Sequence, residues 1–372
     1  MENPYDACRA GQFDPECGIV LTQNRMYVLA VADDMTGALE VGAKFSEAGF
    51  LTTVSAQPTA SGDAQVLVLD TETRHLDPES ARERVCRFIA ACGDEQPLLV
   101  YKKTDSTLRG NIGAELHALV QMYPQWSIGY APAYPALGRT VRSGILYVNG
   151  RAVAETEFAY DQLNPVRSSS VGALLDLQID CRIFDGEVDE HLLQAACAIL
   201  SDRKMRIAAG PAAFAGMIAR MIDIPRRKVD AYPCINTCLV LNGSRHQRSA
   251  LQVQACSIAG WRVVDSIHGH GVTAAQAAAA NSRSLVRAVA LDNPDAIFVF
   301  GGDTVFAVIR ELGFPPLSPI GEVVAGIPVT RIALPGRIRD LFLITKAGGF
   351  GDVDVLARVH AQLSGDGQTH AG

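Results

Sequence analysis

The sequence predicts an α/β protein: two three-layer α/β domains with mainly parallel sheets and a ligand cleft between them. Three observations predict it. A short apolar strand, a polar or glycine-rich turn and an amphipathic helix recur along the chain, which is the pattern of a parallel sheet covered by helices. At 372 residues the chain is too long for one ordinary core, and with 48% hydrophobic and 20% charged residues it can fill two. Between two blocks of this repeat, "PRRKVDAYP" at 225–233 combines prolines and a charge cluster with no periodicity, the composition of a linker.

The first block opens with the strand "MYVLAVA", the turn "DDMTG" and the helix "ALEVGAKFSEAG". The strand "AQVLVLD" follows, then "TETRHLDPES" and the helix "ARERVCRFIAAC". Next "PLLVY" runs into "KKTDSTLRGN" and the helix "IGAELHALVQMY", and "WSIGYAP" leads into "AYPALGRT". Over 139–170 the rhythm breaks: "RTVRSGILYVNGRAVAETEF" reads as a hairpin with "NG" as its turn, and "DQLNPVRSSS" as loop. "MRIAAG" and "PAAFAGMIARMI" close the block. The second block holds three units: "CLVLNGSRHQRSALQVQACSIAG", "AIFVFGGDTVFAVIRELG" and "DLFLITKAGGFGDVDVLARVHAQL". The expected organisation is a poorly ordered extension over 1–24, a substrate domain over 25–230 and a nucleotide domain over 231–372.

Composition narrows the function. A net charge of −7 argues against a general nucleic-acid or anionic-membrane surface. No apolar run approaches the roughly 18–20 residues needed to cross a bilayer, and the N-terminus lacks the apolar core of a secretory signal. Nine scattered cysteines suit reduced thiols in a cytoplasm better than a disulfide framework. H-E-x-x-H, G-x-S-x-G and the Walker A lysine motif are all missing. "HGH" (His268, His270) reads as loop. "GHGVTA" at 269–274 mimics a dinucleotide fingerprint, but the acidic residue it needs, Asp292, falls before the next strand rather than at its end. An NAD-dependent dehydrogenase is therefore a lesser alternative.

The turns at the strand ends carry the chemistry, because ligands of open α/β sheets bind beyond the carboxyl ends of the strands. In the first block these turns hold Asp33, Asp34 and Thr36, then Arg74, then Lys102, Lys103, Asp105 and Ser106. Lysine and arginine suit a carboxylate, and aspartate, threonine and serine suit hydroxyls, which together describe a polyhydroxy acid. The second block offers "NGS" (Asn242–Ser244), "GGDT" (Gly301–Thr304) and "KAGGFG" (Lys346–Gly351). Glycines there permit close backbone approach, and helix N-termini suit phosphates. A polyol-acid site and a phosphate site in one chain point to phosphoryl transfer.

In order over about residues 26–357, "ADDMTGALEVG", "KKTDSTLRGNIGAEL", "APAYPALGRTVRSG", "ETEFAYDQLNPV", "GGDT" and "KAGGFGD" resemble the four-carbon acid sugar kinase family. The resemblance implies phosphorylation of D-threonate, D-erythronate or 3-oxo-tetronate with ATP, and a homodimer. Its substrate positions correspond to Asp33, Asp34, Arg74, Lys103, Thr104, Asp105 and Ser106. Its nucleotide positions correspond to Ser244, Gly301, Gly302, Asp303, Thr304, Gly348, Gly349, Phe350 and Gly351. Asp105 is the preferred proton acceptor, with Asp34 beside it as a catalytic candidate and Asp303 competing from the nucleotide side. Mg²⁺ is expected from phosphoryl-transfer chemistry, with its protein ligands open. The run "NGSRHQRS" keeps Ser244 but sets Arg245, His246 and Arg248 beside it, a departure from the family's pattern. It motivates the alternative of a sugar-acid-binding or regulatory protein with weak or no turnover.

Overall fold

The computed structural model describes residues 26–60, 62–93, 96–175, 179–266 and 273–364. The extension read over 1–24 and the "HGH" histidines lie outside them, as does most of "GHGVTA". The elements run β1 (Val28–Ala32), α1 (Met35–Glu47), β2 (Thr52–Ser55), β3 (Val66–Asp70), α2 (Pro78–Ala90), β4 (Leu99–Lys103) and α3 (Ile112–Met122). Then come β5 (Ile128–Tyr130), β6 (Arg139–Arg142), β7 (Ile145–Val148), β8 (Arg151–Ala152), β9 (Cys181–Ile183), α4 (Asp189–Ser201), β10 (Ile207–Gly210) and α5 (Ala212–Met221). The chain continues with β11 (Cys238–Asn242), α6 (Gln247–Gln254), β12 (Trp261–Val264), α7 (Ala274–Asp292), β13 (Ala296–Phe300) and α8 (Gly302–Glu311). It closes with β14 (Leu317–Val324), β15 (Ile327–Ile332), β16 (Leu341–Lys346) and α9 (Val355–Leu363). The fold is α/β with mostly parallel pairing, as the strand–turn–helix repeat requires.

Two compact units emerge. One takes the chain up to Asp33, Pro58–Leu67 and Thr73–Pro225; the other takes Asp34–Gln57, Val68–Glu72 and the chain from Arg226 onward. In the first unit the strand order is β1-β4-β10-β5-β9, all parallel. Strands β1, β4 and β10 are buried along their whole length, the reason β1 and β10 read as continuous apolar runs rather than alternating ones, while β4 buries two lysines at its carboxyl end. The stretch read as one hairpin is a three-stranded meander, β6-β7-β8. Positive φ at Ser143 (49°) and Gly144 (71°), and again at Asn149 (49°) and Gly150 (81°), makes two tight turns of the kind hairpins favour.

In the second unit the order is β12-β11-β13-β16-β15-β14-β2. The first four strands are parallel, and β15, β14 and β2 continue antiparallel. Phe298, Phe300, Val240 and Ile344 pack with Val355, Leu356 and Val359 of α9 to form its core. The β14–β15 hairpin has no counterpart in the sequence reading. Pro319 and Gly321 break the apolar pattern of β14, and register shifts fall at Pro319/Gly321 and at Glu322/Val324. Helix α1 lies on β14 so closely that a Cβ at Gly42 would meet Pro319 Cγ at 2.6 Å, and Lys44 Nζ reaches Glu322 Oε2 at 2.6 Å. Among the described residues Cys86, Cys92, Cys181, Cys234, Cys238 and Cys256 are free thiols.

Buried charge fixes the strand ends in each unit. Lys102 (0% exposed) leaves β4 toward α3, where its Nζ lies 2.9 Å from Glu115 Oε2 (1% exposed). The same Nζ donates to the carbonyl of Lys103 at 2.7 Å, and Glu115 Oε1 accepts from the Thr73 hydroxyl. One ion pair thus ties β4, α3 and the turn after β3. In the second unit Asp70 and Glu72 stand at the end of β3 with Asp34 nearby and no cation among their dominant neighbours. Burial, then repulsion from other carboxylates, pushes Asp70 well above the carboxylate range and Glu72 up to about 7.

Removing one partner of a buried ion pair strands the other charge. Glu115→Gln is expected to cost about 3–5 kcal/mol, read from the urea midpoint, whereas Lys102→Met with Glu115→Leu recovers most of it. A rise in native pKa makes wild-type stability fall as pH climbs through the interval from 4.5 to about 7. Glu72→Gln should therefore match wild type near the low end of that interval and exceed it above the high end by about 1–3 kcal/mol. Equal gains at both ends would show that the ionisation of buried Glu72 is not the cause.

Candidate functional site

In the first unit the chemistry gathers where β1, β4 and the turn after β3 end. Asp33 (2% exposed) follows β1, and Arg74 clasps it with two bonds, Nε to Oδ2 at 2.7 Å and an η nitrogen to Oδ1 at 3.0 Å. Burial opposes ionisation of Asp33, but Arg74, Lys102 and Lys103 outweigh it and lower its pKa. The turn that leaves β4 bends sharply, with positive φ at Leu108 (67°) and Gly110 (87°). A Cβ at Gly110 would stand 3.2 Å from Asp33 Oδ2 and 3.4 Å from Arg74 Cγ, so glycine lets the two turns meet. Asn111 locks them together, its amide donating to the carbonyls of Thr73 and Leu76 at 2.8 Å each.

Asp105 is the hub of its turn. Its Oδ1 accepts from the Thr107 amide at 2.8 Å and from the Thr107 hydroxyl, and Arg109 reaches Oδ2 at 2.8 Å. A second guanidinium, that of Arg74, lies 3.9 Å from the same oxygen. Burial opposes ionisation here too, yet the two arginines and Thr107 hold the carboxyl far below the usual range. Arg109 also meets Asp161 at 3.3 Å and stacks over Phe158.

The cations can now be assigned. Lys102, read from the sequence as part of the anion-binding turn, is answered by Glu115 and is a structural charge. Asp33 answers Arg74, and Asp105 with Asp161 answers Arg109. Alternation along a strand sends Lys103 to the face opposite Lys102. Lys103 is only 6% exposed, and its ammonium makes no hydrogen bond or contact ion pair among the described residues. Thr104 is buried beside it and Ser106 half-buried. The structure thus brings Asp33, Arg74 and Asp105 into one network next to Lys103. Asp34 belongs to the second unit, where its Oδ1 caps α1 by accepting from Gly37 at 2.9 Å. Glu115 and Asp161 were not singled out from sequence; an acid on an otherwise apolar helix face was the available signal for Glu115.

In the second unit β11, β13 and β16 are neighbours in register, Asn242 opposite Phe300 and Phe300 opposite Lys346. The three glycine turns therefore start side by side at the carboxyl ends. Their backbones are too close for side chains: a Cβ at Gly243 would collide with Thr304, and one at Gly348 with Ser244. Gly301 needs its φ of 94° to turn the chain into α8. Asn242 Oδ1 holds the Ser244 amide at 3.0 Å, and His246, the cap of α6, packs on Gly349. Gly301, Gly302, Asp303 and Thr304 form the start of α8, where helix N–H groups and their partial positive charge favour an anion. A Cβ at Gly302 would stand 3.0 Å from the buried Thr36 hydroxyl, which has no hydrogen-bond partner among the described residues.

No helix among the described residues is long and apolar enough to cross a membrane. Residues 28–183 match the model of a sugar-binding N-terminal domain, and residues 262–356 that of a nucleotide-binding C-terminal domain. The chain is 28% identical to a D-threonate kinase of Salmonella typhimurium, over 92% of this chain and 100% of that one. It is 29% identical to a D-threonate kinase of Bordetella bronchiseptica, over 89% and 96%. With a 3-oxo-tetronate kinase of Methylobacterium radiotolerans it shares 26% identity over 88% and 97%. A solved protein from Salmonella typhimurium LT2 has the same fold, with TM-score 0.73 and 20% identity over 89% of this chain and 98% of that one. One from Haemophilus influenzae gives TM-score 0.70 and 19% identity over 90% and 100%. Matched by both domain models in this order, and by these kinases along most of its length, the chain belongs to the four-carbon acid sugar kinase family.

Proposed function

We propose that the chain is an ATP-dependent kinase of a four-carbon sugar acid of the threonate, erythronate or 3-oxo-tetronate type. Lys103 carries the reading: a buried cation without a contact partner among the described residues, set among aspartate and hydroxyl side chains. Keeping an ammonium out of water is costly unless a ligand brings the opposite charge. A carboxylate with neighbouring hydroxyls is the complement of this set. In this reading Lys103 takes the acid's carboxylate, with Arg74 beside it in the orientation Asp33 imposes. Asp33, Thr104, Asp105 and Ser106 receive or direct the hydroxyls.

The glycine turns at 243–244, 301–304 and 348–351 suit the phosphates of a nucleotide, because bare backbone amides and a helix start surround them. Among the described residues no group of three or more His, Cys, Asp or Glu side chains is placed to hold a metal ion. Asp303, in the first turn of α8, would be the acid offered to the expected Mg²⁺, which would neutralise phosphate charge. ATP supplies the phosphoryl group, and the protein contributes mainly position and charge. Of the two aspartates read as catalytic, Asp34 is the better proton acceptor. Asp105 already carries two guanidiniums, and a carboxylate held that far down accepts a proton poorly.

The test is ATP consumption with Mg²⁺ by the purified protein against D-threonate, D-erythronate, their L forms and 3-oxo-tetronate. Turnover with one acid is expected; ADP release no higher than a blank across the panel sinks the kinase reading. Stabilisation by a sugar acid but not by Mg-ATP in a melting experiment would then indicate a binder. In the active protein Lys103→Ala should raise KM for the acid by about tenfold or more with a smaller effect on kcat. Asp34→Asn should lower kcat by roughly 10²–10⁴, and Asp105→Asn should act chiefly on KM.

A further inference from the structure

Lys346, the last residue of β16, is fully buried and points back under the turn that follows it. Its Nζ donates to the carbonyls of Ala347 at 2.8 Å, Gly348 at 2.9 Å and Phe350 at 2.9 Å, and lies 4.9 Å from the centre of the Phe300 ring. Helix α6 closes the same side. Ser249 donates to the Gly348 carbonyl at 2.6 Å, and the Gln252 amide is within 2.8–3.0 Å of the carbonyls of Phe350, Gly351 and Asp352. The carbonyls of this loop are thus gathered inward. The amides of Gly348, Gly349 and Gly351 donate to no group among the described residues. Successive amides released on one side of a loop form an anion-binding concavity.

We propose that Lys346 is the positioning residue of the phosphate-binding loop: its ammonium holds the carbonyls of residues 347, 348 and 350 inward and so presents the glycine amides to the nucleotide. The inference rests on the kinase reading for the identity of the anion. An ammonium has three N–H donors for three carbonyls; a neutral amine has two and no charge. Among the described residues, the charged or titratable side chains facing it are Arg248, in the first turn of α6, whose charge acts on it, and His246, which packs on Gly348 and Gly349. Phe300, Ser249 and Gln252 are uncharged. Burial first, then the like charge of Arg248, brings the Lys346 pKa down to about 8. The loop should therefore be well formed at pH 7 and loosen as pH rises through that value.

The experiment measures the dissociation constant of ADP by calorimetry across pH 7 to 9, with kcat and KM for ATP in parallel. Wild type is expected to bind roughly fivefold or more weakly at the upper end, with kcat at saturating ATP within about threefold. Lys346→Met should bind at least as weakly as wild type at high pH, and with no pH dependence of its own. Should that variant fail to fold, Ser249→Ala, which removes one clamp without disturbing the charge, should weaken ADP binding and keep the wild-type pH trend. A pH-independent wild-type constant, or wild-type affinity in Lys346→Met, overturns the inference while leaving the kinase reading intact. Absence of ADP binding by wild type at every pH overturns the nucleotide reading, and the inference with it.

Discussion

The first unit depends on one buried ion pair. Lys102 and Glu115 are both withdrawn from water, and each would be a liability alone. Together, with the Thr73 hydroxyl and the Lys103 carbonyl, they bind the end of β4 to α3 and to the turn that carries Arg74. Such a pair adds little net stability over a well-packed apolar pair, so what it contributes is placement. Lys103 comes next in the same strand, and its direction follows from that of Lys102 by the pleat of the strand. The cation proposed to meet the substrate is aimed by the one that never does.

The second unit uses a related device with the opposite electrostatic outcome. Lys346 also sits at the carboxyl end of a buried parallel strand and turns its ammonium onto the carbonyls of the following turn. Lys102 has a carboxylate against it; Lys346 has carbonyls, an aromatic face and a neighbouring arginine. One lysine is closed off as structure, whereas the other has no carboxylate against it among the described residues and lies behind the amides of Gly348, Gly349 and Gly351. That difference separates a residue that positions a turn from one proposed to position a turn for an anion.

Much of the fold was legible because fully buried parallel strands read as apolar runs and their turns as glycine or charge. The three glycine turns were legible as a set, and the register of β11, β13 and β16 sets them side by side. The sheet order was not legible, since pairing of α1 and β2 with distant segments leaves no local mark. Neither was the β14–β15 hairpin, whose proline, glycine and bulges hide the alternation. Within the site, residue types were readable but charge pairing was not. "KKTDSTLR" looks like a cluster of cations awaiting one anion, yet Glu115 and Asp161, distant in sequence, claim Lys102 and Arg109. Glu72 was passed over beside Arg74 because its raised pKa comes from burial and from Asp34, neither visible in "TETR".

The carboxylates fall into two populations, and this division bears on the chemistry. Asp33 and Asp105 are buried against guanidiniums that lower their pKa values, that of Asp105 far below the usual range, so their part is to orient and to accept hydrogen bonds. Asp70 and Glu72 are buried against other carboxylates and hold protons toward neutrality. Where environments push titratable groups apart in this way, fixed charges and exchangeable protons are separated. The adjacent residues Asp33 and Asp34 fall in different units. Asp33 is committed to Arg74 in the first unit, and Asp34 stands among the carboxylates of the second. An acceptor for the proton of a substrate hydroxyl must be free to take it up and release it again. A carboxylate already held by two arginines, as Asp105 is, is a poor choice for that work.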